Sequence, residues 1–440
     1  MDMQSTETSV AIVKYDGTLN SLRRAIELCG GFEELKPDHK VLLKPNILWG
    51  GGVARKMPKY GVVTTSRIVE DLIQLLRERG CGDILIGEAT LVNEELGSDT
   101  LSGYKWTGIA RVAKKYGVKL IDFNREPFKR VEVNGISIGI SRIALDSDFL
   151  INLPVLKTHH QTRVSLGLKN LKGCLEMRSK MEFHKRDLDH MIALLNTQVV
   201  PKLTIIDGIY AMENGPSALG TAHRMDLFIA GKDNLSCDIV GSTVLGIEPR
   251  FVEHLNEFAS IASRLLDLAA IDVKGENVKD VTRELEWQFN NYQDIYRRAR
   301  IDGLIFQDPG KHFCTGCVSN AQAVSVLFCK DNPGITLDNT EICCGTEVKP
   351  KADSKKIFLF GDCSIRANKD LTDGIRLKGC PPKVADSLVT FMNHTIGKQR
   401  ARKILAVRLL RMIANKLGIY GEDMPTYRRY ESPEFDKRHF

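Results

Sequence analysis

At 440 residues the chain is longer than the roughly 250–300 residues at which a single core stops growing, so more than one domain is expected. A hydrophobic fraction of 43% and a charged fraction of 27% exclude wholesale disorder and a membrane-protein composition. A net charge of +7 with only 7% aromatic residues lacks the focused basic, base-stacking signature of a nucleic-acid binder, so no nucleic acid is expected as partner.

The opening MDMQSTETSV has no cationic start followed by an apolar core, and no run approaches the roughly 18 apolar residues of a membrane span. A cytoplasmic location is therefore expected. Thiols stay reduced there, and clustered cysteines bind metal more often than they pair.

Short apolar runs alternate with helical periodicity through the first half. Strands are expected at VAIVKY (10–15), KVLLK (40–44), DILIG (83–87), VKLID (118–122), DFLINL (148–153), LTIID (203–207) and DLFIAG (226–231). Helices are expected at 64–79, 108–116, 187–199 and 235–245. This order predicts an α/β, doubly wound, largely parallel sheet over residues 1–250, followed by a smaller C-terminal cysteine-rich iron-sulfur domain.

Residues 251–300 turn helical and charged, as in RELEWQFNNYQDIYRRARI, and read as a helical connector. Seven of the eleven cysteines then fall between Cys314 and Cys380 and define a cluster-binding domain over 301–395. In the closing segment, 396–440, Ile404, Val407, Leu410, Ile413 and Leu417 recur at helical spacing among Arg and Lys side chains. Such a helix suits peripheral contact with an anionic membrane through 398–420, or cover for its own domain.

Cubane iron clusters need soft thiolate ligands, commonly four. In HFCTGCVSN a Cys-x-x-Cys turn supplies Cys314 and Cys317, with Gly316 between them. Cys363 follows the strand KKIFLF, and Cys380 precedes two prolines in KGCPPK. That GCPP segment resembles the iron-sulfur small subunits of respiratory complex I and hydrogenases, in which the cysteine is a ligand. Cys314, Cys317, Cys363 and Cys380 are thus expected to hold one 4Fe-4S cluster. Cys343 and Cys344 are adjacent and cannot easily address the same metal; one could replace the third ligand, or both could be packed. Zinc competes as the metal, but a second Cys-x-x-Cys pair is missing, since 16 residues separate Cys363 from Cys380.

In the first domain, KVLLKPNILWGGG brings Lys44 and Asn46 off a strand end into Gly50, Gly51 and Gly52. Strand carboxyl ends are where open α/β sheets bind ligands. DFLINLPVLKTHHQTRVSLGLKNLKG carries Lys157, His159, His160, Thr162, Lys169, Asn170 and Lys172, a density of donors that suits a carboxylate or phosphate. Asp207, Glu213, Gly215 and Glu88 are further polar candidates. No Walker loop, dinucleotide glycine fingerprint or nucleophile elbow is present.

Taken in order, VLLKPN, GEAT, LPVLKTHHQTRVSLGLKNLKG, DGIYAMENGP and DNLSCDIVGSTVLGIEP resemble the prokaryotic family catalogued as domain of unknown function 362. The resemblance implies an α/β domain with a polar cleft and an association with iron-sulfur cysteines. It carries over to Lys44 and Asn46 as binding residues and to Lys157, His159, Lys169 and Asn170 as reactive ones. The chain lacks the repeated ferredoxin motifs of some relatives, so a two-cluster electron wire is not implied.

The expected function is a redox enzyme or reductive activator in which a cluster serves an anionic small molecule or a redox partner protein. Two alternatives stay open: a non-redox iron-sulfur lyase or isomerase with one open iron, and a binding module with a structural metal.

Overall fold

The computed structural model describes residues 8–50, 58–92, 98–215, 220–287, 292–307, 314–416, 430 and 432–440. Two compact units emerge, one of residues 1–288 with 425–440, the other of 289–424.

The first unit is built on strands β1 (Thr8–Lys14), β2 (Val41–Pro45), β3 (Ile84–Glu88), β4 (Lys119–Asp122), β5 (Phe128–Val133), β6 (Ile136–Ser141), β7 (Phe149–Leu153), β8 (Val155–His159), β9 (Arg163–Val164), β10 (Leu203–Glu213), β11 (Thr221–Gly231) and β12 (Ile271–Gly275). The main sheet runs β12-β1-β11-β10-β7-β2-β3-β4, with β8 paired to β10 and β9. Only β11 opposes the others along that path, so the sheet is largely parallel. β5 and β6 form a separate hairpin.

Strands β2 and β7 are buried along their whole length, as central parallel strands must be when both faces are covered. Alternation sends Leu42 into one core with Leu188, Met191 and Leu235, and Val41 and Leu43 into another with Leu22, Ile68 and Leu72. Helices thus cover both faces, and the expected α/β architecture is present. Each of the seven expected strands has its counterpart, as have the helices, at Ser66–Glu78, Ile109–Tyr116, Leu188–Asn196 and Asn234–Val244.

The expected connector over 251–300 needs correction. Helix Glu253–Ile261 and strand β12 fall in the first unit, with β12 pairing in parallel with β1 (Val10 opposite Val273). Helical charge patterning hid this strand, because IDVKG is short and lies at the sheet edge, where little of it needs burying. The end of the chain also returns to the first unit. Tyr430, Phe435 and Phe440 join the core that holds Tyr15, Tyr60 and Tyr210, and Tyr210 Oη lies 2.9 Å from His439 Nδ1.

The second unit is a four-stranded parallel sheet, β13 (Asp302–Phe306), β14 (Thr336–Cys344), β15 (Lys356–Phe360) and β16 (Ile375–Leu377), in that order. Helices Thr315–Asp331, Val384–Thr395 and Lys398–Lys416 accompany it, and Phe391 packs edge-on against Phe328 at 4.9 Å. On helix Lys398–Lys416 the expected stripe divides. Ile404 and Leu405 pack on the unit's core, whereas Val407, Leu409 and Leu410 are exposed. Arg408 ties the helix to Asp331 and to the Leu327 carbonyl. Leu417 and residues 418–420 lie outside the described residues, as does the side chain of Ile413. Among the described residues no helix is long and apolar enough to cross a membrane.

Candidate functional site

The carboxyl ends of β7, β2 and β3 lie side by side in the first unit, with Lys44 opposite Asn152 and Pro45 opposite Leu153. Lys44 is fully buried and forms an ion pair with Glu88, the last residue of β3; its Nζ also donates to the Pro45 carbonyl at 2.8 Å. Glu88 accepts in addition from Ala89 N at 2.9 Å. Gly173 lies directly against this pair: a Cβ there would stand 2.1 Å from Glu88 Oε1 and 2.4 Å from Lys44 Nζ. The backbone of the Lys-Asn-Leu-Lys-Gly segment can approach the pair only because this residue has no side chain.

A chain of side-chain amides leads away from the pair. Lys157 Nζ donates to Asn46 Oδ1 at 2.6 Å and to the Val62 carbonyl at 2.7 Å. Asn46 Nδ2 donates to Asn170 Oδ1 at 3.1 Å, and Asn170 Nδ2 to Asn152 Oδ1 at 2.8 Å. Asn152 Nδ2 donates in turn to the Gly167 carbonyl at 2.9 Å. Each amide is oriented by its neighbours, so the network presents Asn46 and Lys157 in fixed positions. Asp238 anchors helix Gly167–Asn170 by accepting from Gly167 N at 2.6 Å and Leu168 N at 2.9 Å, and burial pushes its carboxyl up to about 8.

Burial dominates the electrostatics. It holds Lys157 down to about 7, with Glu88 opposing and Lys44 assisting. Lys169, which keeps partial solvent access, is held down to about 7 by burial and then by Lys157. Lys180, whose Nζ donates to the Ala89 carbonyl, is lowered to about 8, again chiefly by burial. His159 lies well below its usual range, by burial and then the nearby lysines. Its Nδ1 accepts from Gln161 N at 3.1 Å and Thr162 N at 3.3 Å, so the neutral ring carries its proton on Nε2. His160 stacks on it at 4.9 Å and is lowered to about 4 by burial. Lys172 Nζ lies 3.1 Å from His184 Nε2. An interior in which burial holds several lysines below their usual range is suited to an anion that would restore their protonation.

Lys44, Asn46, Lys157 and Asn170 are therefore joined in one network, with His159 two residues beyond Lys157 on β8 and Lys169 at the charge range of Lys157. Gly51 and Gly52 lie outside the described residues. Asp207 has a different role, since it accepts from Thr65 N and Oγ1, both at 2.8 Å, at the start of helix Ser66–Glu78. Glu213 pairs with His223 at 3.0 Å. Asn152, Lys180 and Asp238 were not foreseen. Asn152 alone left a signal, as a lone polar residue inside the apolar run DFLINL.

In the second unit, cysteines gather at the carboxyl edge of the parallel sheet. Cys314 caps helix Thr315–Asp331 and Cys317 lies in its first turn; Cys344 ends β14; Cys363 and Cys380 each come three residues after β15 and β16. Cys314 and Cys317 are hydrogen bonded, which with burial raises the Cys314 thiol well above its usual range. Cys317 is also hydrogen bonded to Cys344 and lies within electrostatic range of Cys380. Cys363 instead accepts from Arg366 Nη2 at 3.4 Å. Among the described residues no three His, Cys, Asp or Glu side chains are grouped closely enough to hold a single metal ion.

The first unit thus defines an α/β protein with a buried lysine–asparagine site at the carboxyl edge of its sheet. Residues 41–243 match the family described as a domain of unknown function, DUF362. A thylakoid-associated protein of Synechocystis sp. is 29% identical over 238 residues, 52% of this chain and 71% of its own. Among solved structures, the lactate racemase apoprotein of Thermoanaerobacterium thermosaccharolyticum aligns with a TM-score of 0.34 at 12% identity, over 55% of this chain and 58% of its own. The chain therefore spans less than two thirds of the racemase. A crystal structure of a Thermotoga maritima protein aligns with a TM-score of 0.32 at 14% identity, over 74% of this chain and 70% of its own. At these scores neither likeness carries an argument about mechanism.

Proposed function

We propose that this chain binds a 4Fe-4S cluster in its second unit and works as a redox enzyme or reductive activator on an anionic substrate or partner protein held by the first unit. One observation carries the reading: five cysteines, Cys314, Cys317, Cys344, Cys363 and Cys380, fall at one edge of a four-stranded parallel sheet. The donor set fits the group, because thiolates are the ligands that iron-sulfur clusters take. A cradle fits it too, since a Cβ on Gly361 would stand 2.9 Å from Cys317 Sγ and crowd that thiol. The cluster, when bound, would supply one electron at a time.

The residues of the first unit would do the rest. Lys157 and Lys169 would bind the anion's charge, Asn46 and Asn170 would orient it, and His159, neutral with its proton on Nε2, could donate a hydrogen bond to it. Lys44, paired with Glu88, would hold the floor of the site. A reducing compartment such as the cytoplasm suits thiolate ligands. On helix Lys398–Lys416, the exposed Val407, Leu409 and Leu410 share the helix with the exposed Arg402 and Lys403, a composition suited to an anionic membrane surface.

Anaerobic purification with iron, sulfide and zinc analysis, followed by electron paramagnetic resonance after dithionite reduction, tests the cluster. Iron with matching sulfide and a reduced-state signal is the expected result. A colourless protein carrying stoichiometric zinc would end the redox reading and favour a structural metal.

A further inference from the structure

Five cysteines stand at the edge of the second unit's sheet, one more than a cubane takes. Their placement separates them. Cys343 and Cys344 are consecutive on β14, and successive strand residues face opposite sides of a sheet. Cys344 shares its side with Ile342 and packs in the core cluster that holds Cys317, Phe360 and, at its margin, Cys314. Cys343 is absent from that cluster, and its carbonyl is taken by Ser364 Oγ at 2.9 Å. The Cys344 thiol is hydrogen bonded to Cys317, which is in turn bonded to Cys314.

The loop of Cys380 closes on the same place. Asp362 Oδ1 accepts from Gly379 N at 2.9 Å, Asp362 N donates to the Gly379 carbonyl at 3.1 Å, and Asn320 Nδ2 donates to the Pro382 carbonyl at 2.9 Å. A Cβ on Gly316 would lie 3.4 Å from Pro381 Cγ, so the Cys-x-x-Cys turn and the Cys-Pro-Pro loop are in van der Waals contact. Cys363 follows Asp362, the residue bonded to Gly379, but its own Sγ accepts from Arg366 Nη2 at 3.4 Å. It sits on helix Asp362–Ala367 as the partner of Arg366, an exposed side chain one helical turn along.

We propose that Cys344, not Cys363, completes the ligand set with Cys314, Cys317 and Cys380, and that Cys363 is an outer thiol beside the site. The assignment rests on the cluster reading above, and it differs from the sequence-based choice of Cys363, taking up the alternative that one of Cys343 and Cys344 replaces that ligand. That choice used strand ends alone, and could not tell which of two adjacent cysteines on β14 faces the Cys-x-x-Cys turn.

The test is iron and sulfide content, with the reduced-state paramagnetic spectrum, of full-length C344S, C343S and C363A purified anaerobically beside the wild type. C344S should fall to background iron, whereas C343S and C363A should keep the wild-type content of about four iron per chain. Loss of iron from C363A, or full iron in C344S, overturns the assignment. Should C344S fail to fold by circular dichroism, C363A decides alone: retained iron supports the assignment and lost iron overturns it. A wild type without iron and sulfide is a different result, and ends the cluster reading itself.

Discussion

Lys157 donates through Nζ to Asn46 Oδ1 at 2.6 Å, joining two residues 111 positions apart in the chain. The contact sets the cationic head of β8 against the end of β2, and burial makes that positive charge expensive unless an anion accompanies it. The Lys157→Met variant should therefore show opposite signs in two measurements. Thermal stability without added anion should be unchanged or higher, whereas the rise in Tm caused by millimolar phosphate or dicarboxylate should disappear. A variant that keeps the anion-induced shift would remove Lys157 from the site.

The same lysines set a pH dependence. Folded values of about 7 for Lys157 and Lys169 and about 8 for Lys180 lie below the ordinary lysine value of 10.5. Between those limits the unfolded chain binds more protons, so stability of the anion-free protein should rise as pH increases from about 7 toward 10. Anion binding should run the other way, strongest below pH 7 and weakening through pH 7–8 as the lysines lose their protons. Isothermal titration with phosphate across pH 6–9 reads both the sign and the window.

Glu88→Gln leaves Lys44 buried without its carboxylate partner. Removing one member of a buried pair costs about 3–5 kcal/mol, and urea unfolding of the variant should show a loss of that order. The double variant Lys44→Met with Glu88→Leu should recover much of it. A Glu88→Gln protein as stable as the wild type would mean that the pair is solvated.

Gly361 has φ +92° and stands 2.9 Å, at its absent Cβ, from Cys317 Sγ. Gly361→Ala should cost about 1–3 kcal/mol of backbone strain and displace the thiol. Iron content after anaerobic purification should fall well below that of the wild type. Wild-type iron in this variant would show that the cradle yields easily.

The exposed face of helix Lys398–Lys416 makes a membrane prediction. Replacing Val407 and Leu410 by Ser should lower co-sedimentation with anionic phosphatidylserine vesicles several-fold without changing the melting of the second unit. Equal sedimentation of variant and wild type, or none by either, would set this surface aside.

The chain's own pattern was enough for the architecture, because strand and helix periodicities are local. KVLLK, DILIG and DFLINL are apolar runs of strand length, and each became a buried strand of the parallel sheet. Lys44, Asn46, Lys157 and Asn170 were legible as well, since polar residues just beyond or within apolar runs mark the functional edge of an α/β sheet. Tertiary structure alone decided which of them meet. Strand order sets β2 between β7 and β3, and that adjacency couples Lys44 to Glu88 and brings Asn152 into the amide chain. It also decided that Cys344 faces Cys317 while Cys343 turns away, that IDVKG joins a sheet edge, and that Phe435 and His439 return to the first unit. Contacts between residues tens or hundreds of positions apart depend on how elements pack, and no local period records that.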